Sequence, residues 1–111
     1  LKQPVAKRNP VFCTGCPERP IFTAIKILEE DYGRSYYASD IGCYSMSGLP
    51  PFDLSNSITG MGIGLASAGA LSRMANKRVI SFMGDGTFWH SGLTSSIANA
   101  VYNNQNAILI I

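Results

Sequence analysis

The most telling feature of this chain is what it has little of. Charged side chains make up only 14% of its 111 residues, and nine basic against seven acidic groups leave a net charge of +2. No basic run stands out, which argues against a nucleic-acid backbone or an anionic membrane as partner. The longest apolar stretch, "ITGMGIGLASAGAL" from Ile58 to Leu71, is too short and too rich in small residues to cross a bilayer, for which about 20 apolar residues are needed. Three cysteines are an odd number, so a closed disulfide framework is not expected and a reducing cytoplasm is. No internal repeat, low-complexity tract or signal-peptide pattern is visible. The first residue is Leu1 and the last apolar run, Ala107 to Ile111, stops abruptly, so the sequence reads as a fragment of a longer polypeptide.

The remaining pattern alternates strands with helices. Residues 1–10, with prolines at 4 and 10, read as a linker or extended approach, and residues 11–111 as one domain. Ile21, Ile25 and Leu28 recur at helical spacing between Pro20, suited to a first turn, and Gly33, suited to a terminus. "RSYYAS" is a short strand candidate in which Tyr36 and Tyr37 pack, followed by the glycine- and proline-bearing loop "DIGCYSMSGLPPFD". A second helix is expected to begin near Ser57, with Gly60, Gly64 and Ala68 on one closely packing face. Lys77 to Met83 is a buried strand. A third helix is signalled by Ser91 as cap, with Leu93, Ile97 and Val101 facing inward, and "AILII" is a last buried strand. Phe88 and Trp89 read as core. This order implies an α/β fold, a doubly wound, mostly parallel sheet with helices on both faces.

Within that frame, "VISFMGDGTFWHSG" places Asp85 between Gly84 and Gly86 at the carboxyl end of a strand, where α/β sheets bind ligands. Glycine on each side lets a ligand approach the main chain, a following helix start offers N–H groups to an anion, and a hard divalent cation suits a carboxylate beside phosphate oxygens. No Gly-Lys-Ser/Thr follows, which excludes a Walker A loop, and Gly60, Gly62 and Gly64 miss the dinucleotide fingerprint by one residue. Cys13 and Cys16 have the spacing of metal or redox pairs. With Cys43 and His90 they would make four ligands; a tight turn with small thiols, or a loop near a cofactor, reads equally from the residues. His90 is a structural hydrogen-bonding group or a ligand contact.

"GDG" before a helix and a strand resembles the diphosphate-binding signature of thiamine diphosphate enzymes, whose closing metal-binding Asn would fall beyond Ile111. "CTGCPERP", "DIGCYSMSGLPP" and "GDGTFWHSGLTSSIANAVYNNQN", in this order, are similar to the 2-oxoacid:ferredoxin oxidoreductases, closest to the large subunits of indolepyruvate ferredoxin oxidoreductases. Two positions depart from that family, which commonly has Pro where Thr14 stands and His where Glu18 stands. The resemblance implies a thiamine diphosphate-binding domain truncated at its C-terminal end. Asp85 would bind Mg²⁺, and Gly84 and Gly86 would touch the diphosphate. Asp40, Ile41, Gly42 and Cys43 would lie against the thiazolium end, with Cys43 catalytic. Gly60, Met61 and Gly62 would start the helix approaching the cofactor, and Cys13 and Cys16 would stand at the mouth of the site.

For the parent enzyme the resemblance implies oxidative decarboxylation of arylpyruvates to aryl-acetyl-CoA, with coenzyme A, ferredoxin, a small subunit and a pyrimidine-binding domain as partners. Iron–sulfur clusters are expected elsewhere in that enzyme, since no cluster-type cysteine run is present. No acidic residue matches the family's activating glutamate, so these residues alone are expected to be catalytically inert. Another thiamine diphosphate enzyme, such as a non-oxidative 2-oxoacid decarboxylase, and a CxxC metal or redox module are the alternatives.

Overall fold

The computed structural model describes residues 4–111. Of the expected linker, residues 1–3 lie outside the described residues, and residues 4–10 are exposed and without regular structure. The elements are α1 (Glu18–Tyr32), β1 (Tyr37–Ser39), a 3₁₀ helix (Cys43–Gly48), β2 (Ser57–Ile58), α2 (Gly64–Ala75) and β3 (Val79–Phe82). Then α3 (Asp85–Thr87), a π-helical stretch (Phe88–Ile97) and α4 (Ala98–Tyr102) run on without a break, and β4 (Ala107–Ile110) ends the chain. The four strands form one parallel sheet in the order β2-β1-β3-β4. The chain moves outward from β1 to β2 and then returns through α2 to the other side of β1. The direction of winding therefore reverses between β1 and β3, the place where open α/β sheets hold ligands beyond their carboxyl ends.

Each face of the sheet has its own packing, because alternate residues of a strand point to opposite sides. On one face Tyr37 and Phe82 join Phe12, Phe22, Ile25, Tyr44 and Leu54 in an aromatic cluster under α1. The rings of Phe22 and Phe82 meet edge-on at 5.1 Å, and those of Phe12 and Phe52 at 5.8 Å, the geometry that ring quadrupoles favour. On the other face Ala38 and Val79 meet Ala68 of α2, where small side chains let helix and sheet approach closely. The sheet is thus covered on both faces, as alternating helices and strands require.

Several local expectations are corrected. Helix α1 begins at Glu18 and ends at Gly33, whose φ of 74° suits glycine, but the buried positions are Phe22 and Ile25, while Ile21 and Leu28 are exposed. Ser57 opens a strand rather than a helix: the Asn56 side-chain oxygen accepts from Tyr37 N at 2.9 Å and Asn56 N donates to Tyr37 O, which starts the β2 pairing. Helix α2 therefore begins at Gly64, and Gly60 lies in the turn before it. Ser91 caps nothing, because the helical rod starts at Asp85. The wider π turn presents Gly92 and Ser96 inward, leaving Leu93 and Val101 exposed. Trp89 is 74% exposed and not core, and Tyr36 is exposed beside a buried Tyr37. The strand β4 is only half-buried at the sheet edge.

Helix α1 is tied to β1 by a polar contact at the rim of the aromatic cluster. Tyr37 Oη donates to Glu29 Oε1 at 2.9 Å, and Lys26 Nζ lies 2.7 Å from Glu29 Oε2. Burial acts to raise the Glu29 carboxyl, but the hydrogen bonds from Lys26 and Tyr37 outweigh it and hold the group below its usual value of 4.5. Burial, and then the Glu29 carboxylate, push the Tyr37 phenol up to about 12. A depressed carboxyl contributes stability above 4.5 that is lost as pH falls through the lower folded value. Glu29→Gln is expected to cost about 1 kcal/mol at pH 7 and to flatten the acid limb of the stability profile. Urea unfolding of both forms between pH 3 and 7, on the order of that range, checks this.

Candidate functional site

The site is assembled where β1, β2 and β3 end. Asp40 follows β1 directly, and its N–H donates to Phe82 O at 3.1 Å, which places it beside the end of β3. Its carboxylate is fully buried, accepting from Gly62 N at 2.7 Å (Oδ2) and Gly64 N at 2.6 Å (Oδ1). A buried carboxylate needs such donors, and the N-terminus of a helix supplies both amides and a favourable dipole. Asp40 thus clamps the Gly60–Met61–Gly62 turn and the start of α2 to the sheet, with its oxygens turned into the protein rather than outward. A Cβ on Gly64 would lie 2.8 Å from Asp40 N, closer than real Cβ contacts come. Gly62 has a φ of +81°, which glycine alone adopts readily.

Next to this clamp, β3 delivers Gly84, Asp85 and Gly86. Asp85 is exposed at the first turn of the helical rod, its Oδ1 accepting from Gly86 N at 2.8 Å. A Cβ on Gly86 would meet nothing within 4 Å, so the main chain there is open to a ligand. At Gly84 a Cβ would come within 3.2 Å of the Tyr44 ring. Tyr44 is buried, its Oη donating to Ile41 O at 3.0 Å, and burial pushes its phenol up. It braces the 41–43 loop against β3. Within the π-helical stretch of the rod, hydroxyls bond back to its own carbonyls, Ser95 Oγ to Ser91 O at 2.5 Å and Ser96 Oγ to Gly92 O at 3.1 Å.

A cavity of about 270 Å³ opens beside these strand ends. Its polar members are Glu18, Tyr44 and Asp85, and Phe22, Phe82, Ile110 and Ile111 are among its apolar walls. Glu18 stands where the resembled family commonly has His. It starts α1 and lines this cavity, with Oε2 buried and unpartnered and its carboxyl raised by burial.

The other expected site residues are spread around this centre. Ile41, Cys43 and Met61 are exposed at the same edge, Gly42 and Gly60 are half-buried, and none of them lines the cavity. Cys13 is exposed and Cys16 half-buried in a tight turn closed by Cys16 N donating to Cys13 O at 3.2 Å. Among the described residues no three His, Cys, Asp or Glu side chains gather to hold a metal, so the four-ligand arrangement of Cys13, Cys16, Cys43 and His90 does not form. His90 is exposed. Tyr44 and Gly64 are the residues that sequence reasoning missed as parts of the site, since each matters through a partner distant in the chain.

Comparison with known proteins then decides the family. The thiamine pyrophosphate enzyme, C-terminal TPP binding domain family matches residues 40–111, a span that starts at the Asp40 clamp and contains the Gly84–Gly86 edge. The chain belongs to this family. It is similar to the indolepyruvate oxidoreductase subunit IorA of Methanothermobacter thermautotrophicus, at 32% identity over 96% of this chain and 18% of that protein. It is 36% identical to the subunit IorA of Archaeoglobus fulgidus over 94% of this chain and 16% of that protein. With that of Thermococcus kodakarensis the identity is 32% over 100% of this chain and 19% of that protein. The chain therefore spans less than a fifth of the length of these curated relatives. No solved structure matches it significantly. The thiamine diphosphate-binding α/β domain is thus the fold and family, and no helix is long and apolar enough to cross a membrane among the described residues.

Removing the clamp leaves two buried amides without an acceptor. Asp40→Ala and Gly64→Ala are each expected to destabilise the domain by about 2–4 kcal/mol. In Asp40→Ala the amides of Gly62 and Gly64 should exchange with solvent at least about tenfold faster than the global loss of stability alone imposes on those of β3. Hydrogen exchange on the full-length protein reads both.

Proposed function

We propose that this chain forms the diphosphate-binding side of a thiamine diphosphate-dependent oxidoreductase that oxidatively decarboxylates arylpyruvates. The observation that carries the reading is the convergence at the reversal of strand order: an exposed Asp85 between two glycines, at the start of a helix, with open space over Gly86. These groups suit the cofactor. Asp85 would give one hard oxygen to Mg²⁺, the main chain at Gly84 and Gly86 would accept the close approach of phosphate oxygens, and the positive end of the helical rod would meet their charge. When bound, thiamine diphosphate supplies a nucleophilic carbon for the keto group and a sink for the electrons left when CO₂ departs.

What this chain contributes is placement. The Asp40 clamp holds the Gly60–Met61–Gly62 turn, and Tyr44, whose ring lies against Gly84, holds the Ile41–Gly42–Cys43 loop. Cys43, exposed at the start of its 3₁₀ helix, would face the reacting end, and Cys13 and Cys16 would border the mouth. The domain assignment follows, with residues 1–10 as an approach and 11–111 as the binding domain. The indolepyruvate oxidoreductase relatives support the finer reading. In it, coenzyme A takes up the acyl group and ferredoxin the electrons, through iron–sulfur clusters carried elsewhere. A small subunit and a pyrimidine-binding domain complete the enzyme, and the cytoplasm is its compartment.

In the full-length protein, Asp85→Asn is expected to weaken Mg²⁺-dependent binding of thiamine diphosphate at least about tenfold, because a neutral amide replaces a charged ligand of the cation. Calorimetric titration of apo-protein measures this, and unchanged affinity overturns the metal assignment. Cys43→Ala should lower turnover while metal content stays the same; a stoichiometric zinc or iron lost with the thiol would favour a metal module instead.

A further inference from the structure

The two ends of the site meet at one side chain. Tyr44 is buried near the start of the 3₁₀ helix, and its hydroxyl turns back to donate to Ile41 O at 3.0 Å, closing residues 41–44 on themselves. The same edge of its ring faces two glycines. A Cβ on Gly42 would lie 2.5 Å from Cε1 and 2.9 Å from Oη, and one on Gly84 would lie 3.2 Å from Cε1 and 3.7 Å from Oη. A methyl group at residue 42 would overlap the ring, and one at residue 84 would press on it. Burial raises the phenol, while the Gly84 main chain and the Thr87 hydroxyl act on Oη as hydrogen-bonding neighbours and oppose that rise. The ring edge is lodged between the 41–43 loop and the first turn of the rod, Asp85–Thr87, and close packing of this kind passes a displacement on one side to the other.

We infer that Tyr44 is a positioning residue that couples the two ends of the site: an anion held on the Gly84 main chain fixes the ring edge, and the ring with its tether to Ile41 fixes the loop that carries Cys43. The inference rests on the diphosphate reading above and deepens it, because it makes the order of the reacting end depend on occupancy of the anion-binding end. Glycine at 84 has backbone freedom that a bound anion removes. Once that freedom is lost, ordering the loop for a second ligand group costs less conformational entropy, so the two ends cooperate without a change of fold. A second tie holds the loop locally and reports on it. Ser45 donates to Gly42 O from its amide at 3.0 Å and from its hydroxyl at 2.6 Å.

The test uses the full-length protein freed of cofactor, with Mg²⁺ and inorganic pyrophosphate as the probe, since pyrophosphate takes the anion-binding end and has no ring to touch the loop. Two amides report by hydrogen exchange: Phe88 N, which donates to Gly84 O at 2.9 Å, for the anion-binding end, and Ser45 N for the loop. In wild type the probe should slow both, Ser45 by about fivefold or more. Tyr44→Phe, which keeps the ring and removes the tether to Ile41 O, should keep the slowing at Phe88 and lose most of that at Ser45. In turnover of an arylpyruvate by the holoprotein, Tyr44→Phe should lower kcat about tenfold while KM and the affinity for thiamine diphosphate and Mg²⁺ stay the same. Slowing at Ser45 that persists in Tyr44→Phe, or that is absent from wild type while Phe88 is slowed, overturns the inference and leaves the diphosphate reading standing. Failure of the probe to slow Phe88 in wild type sinks the diphosphate reading, and this inference with it.

Discussion

The Asp40 carboxylate is the constraint on which the arrangement depends. A buried charge is tolerated only where donors surround it, and here both oxygens are held by amides of the turn that opens α2. One side chain thereby joins three things that local sequence would leave independent: the end of β1, the glycine turn after β2, and the helix that covers the sheet. The same contact explains why residue 64 must be glycine, since a methyl group there would occupy the space of the Asp40 main chain. Gly64, which reads as part of a close-packing helix face, lets its backbone amide reach a carboxylate.

The two faces of the sheet divide the work of the fold. Under α1 the side chains are large and aromatic, and they build the cavity wall along with the core. Under α2 they are small, so the helix start can sit close enough to the sheet for the Asp40 bonds to form. Between the faces, at the strand ends, the main chain is left open over Gly86. The π-helical rod belongs to the same logic. Its serine hydroxyls satisfy its own carbonyls, and the widened turn brings Gly92 against Met83, where a Cβ would lie 2.6 Å from the sulfur.

Sequence alone determined the alternation of helices and strands, the position of Asp85 between two glycines at a strand end, and the family, because these rest on patterns within a few residues or on motifs in fixed order. Periodicity located α1 and β3, although the buried face of α1 is Phe22 and Ile25 rather than the Ile21 and Leu28 of the repeat. It failed where a distant partner decides. Ser57 is a strand because Asn56 pairs with Tyr37, and the inward face of the rod is Gly92 and Ser96 because the π-helical turn sets Gly92 against Met83. Tyr44 and Gly64 acquire their places in the site from residues 20 or more positions away in the chain, Gly84 and Asp40. No local rule gives such contacts, for they exist only once the sheet order β2-β1-β3-β4 has brought the strand ends side by side.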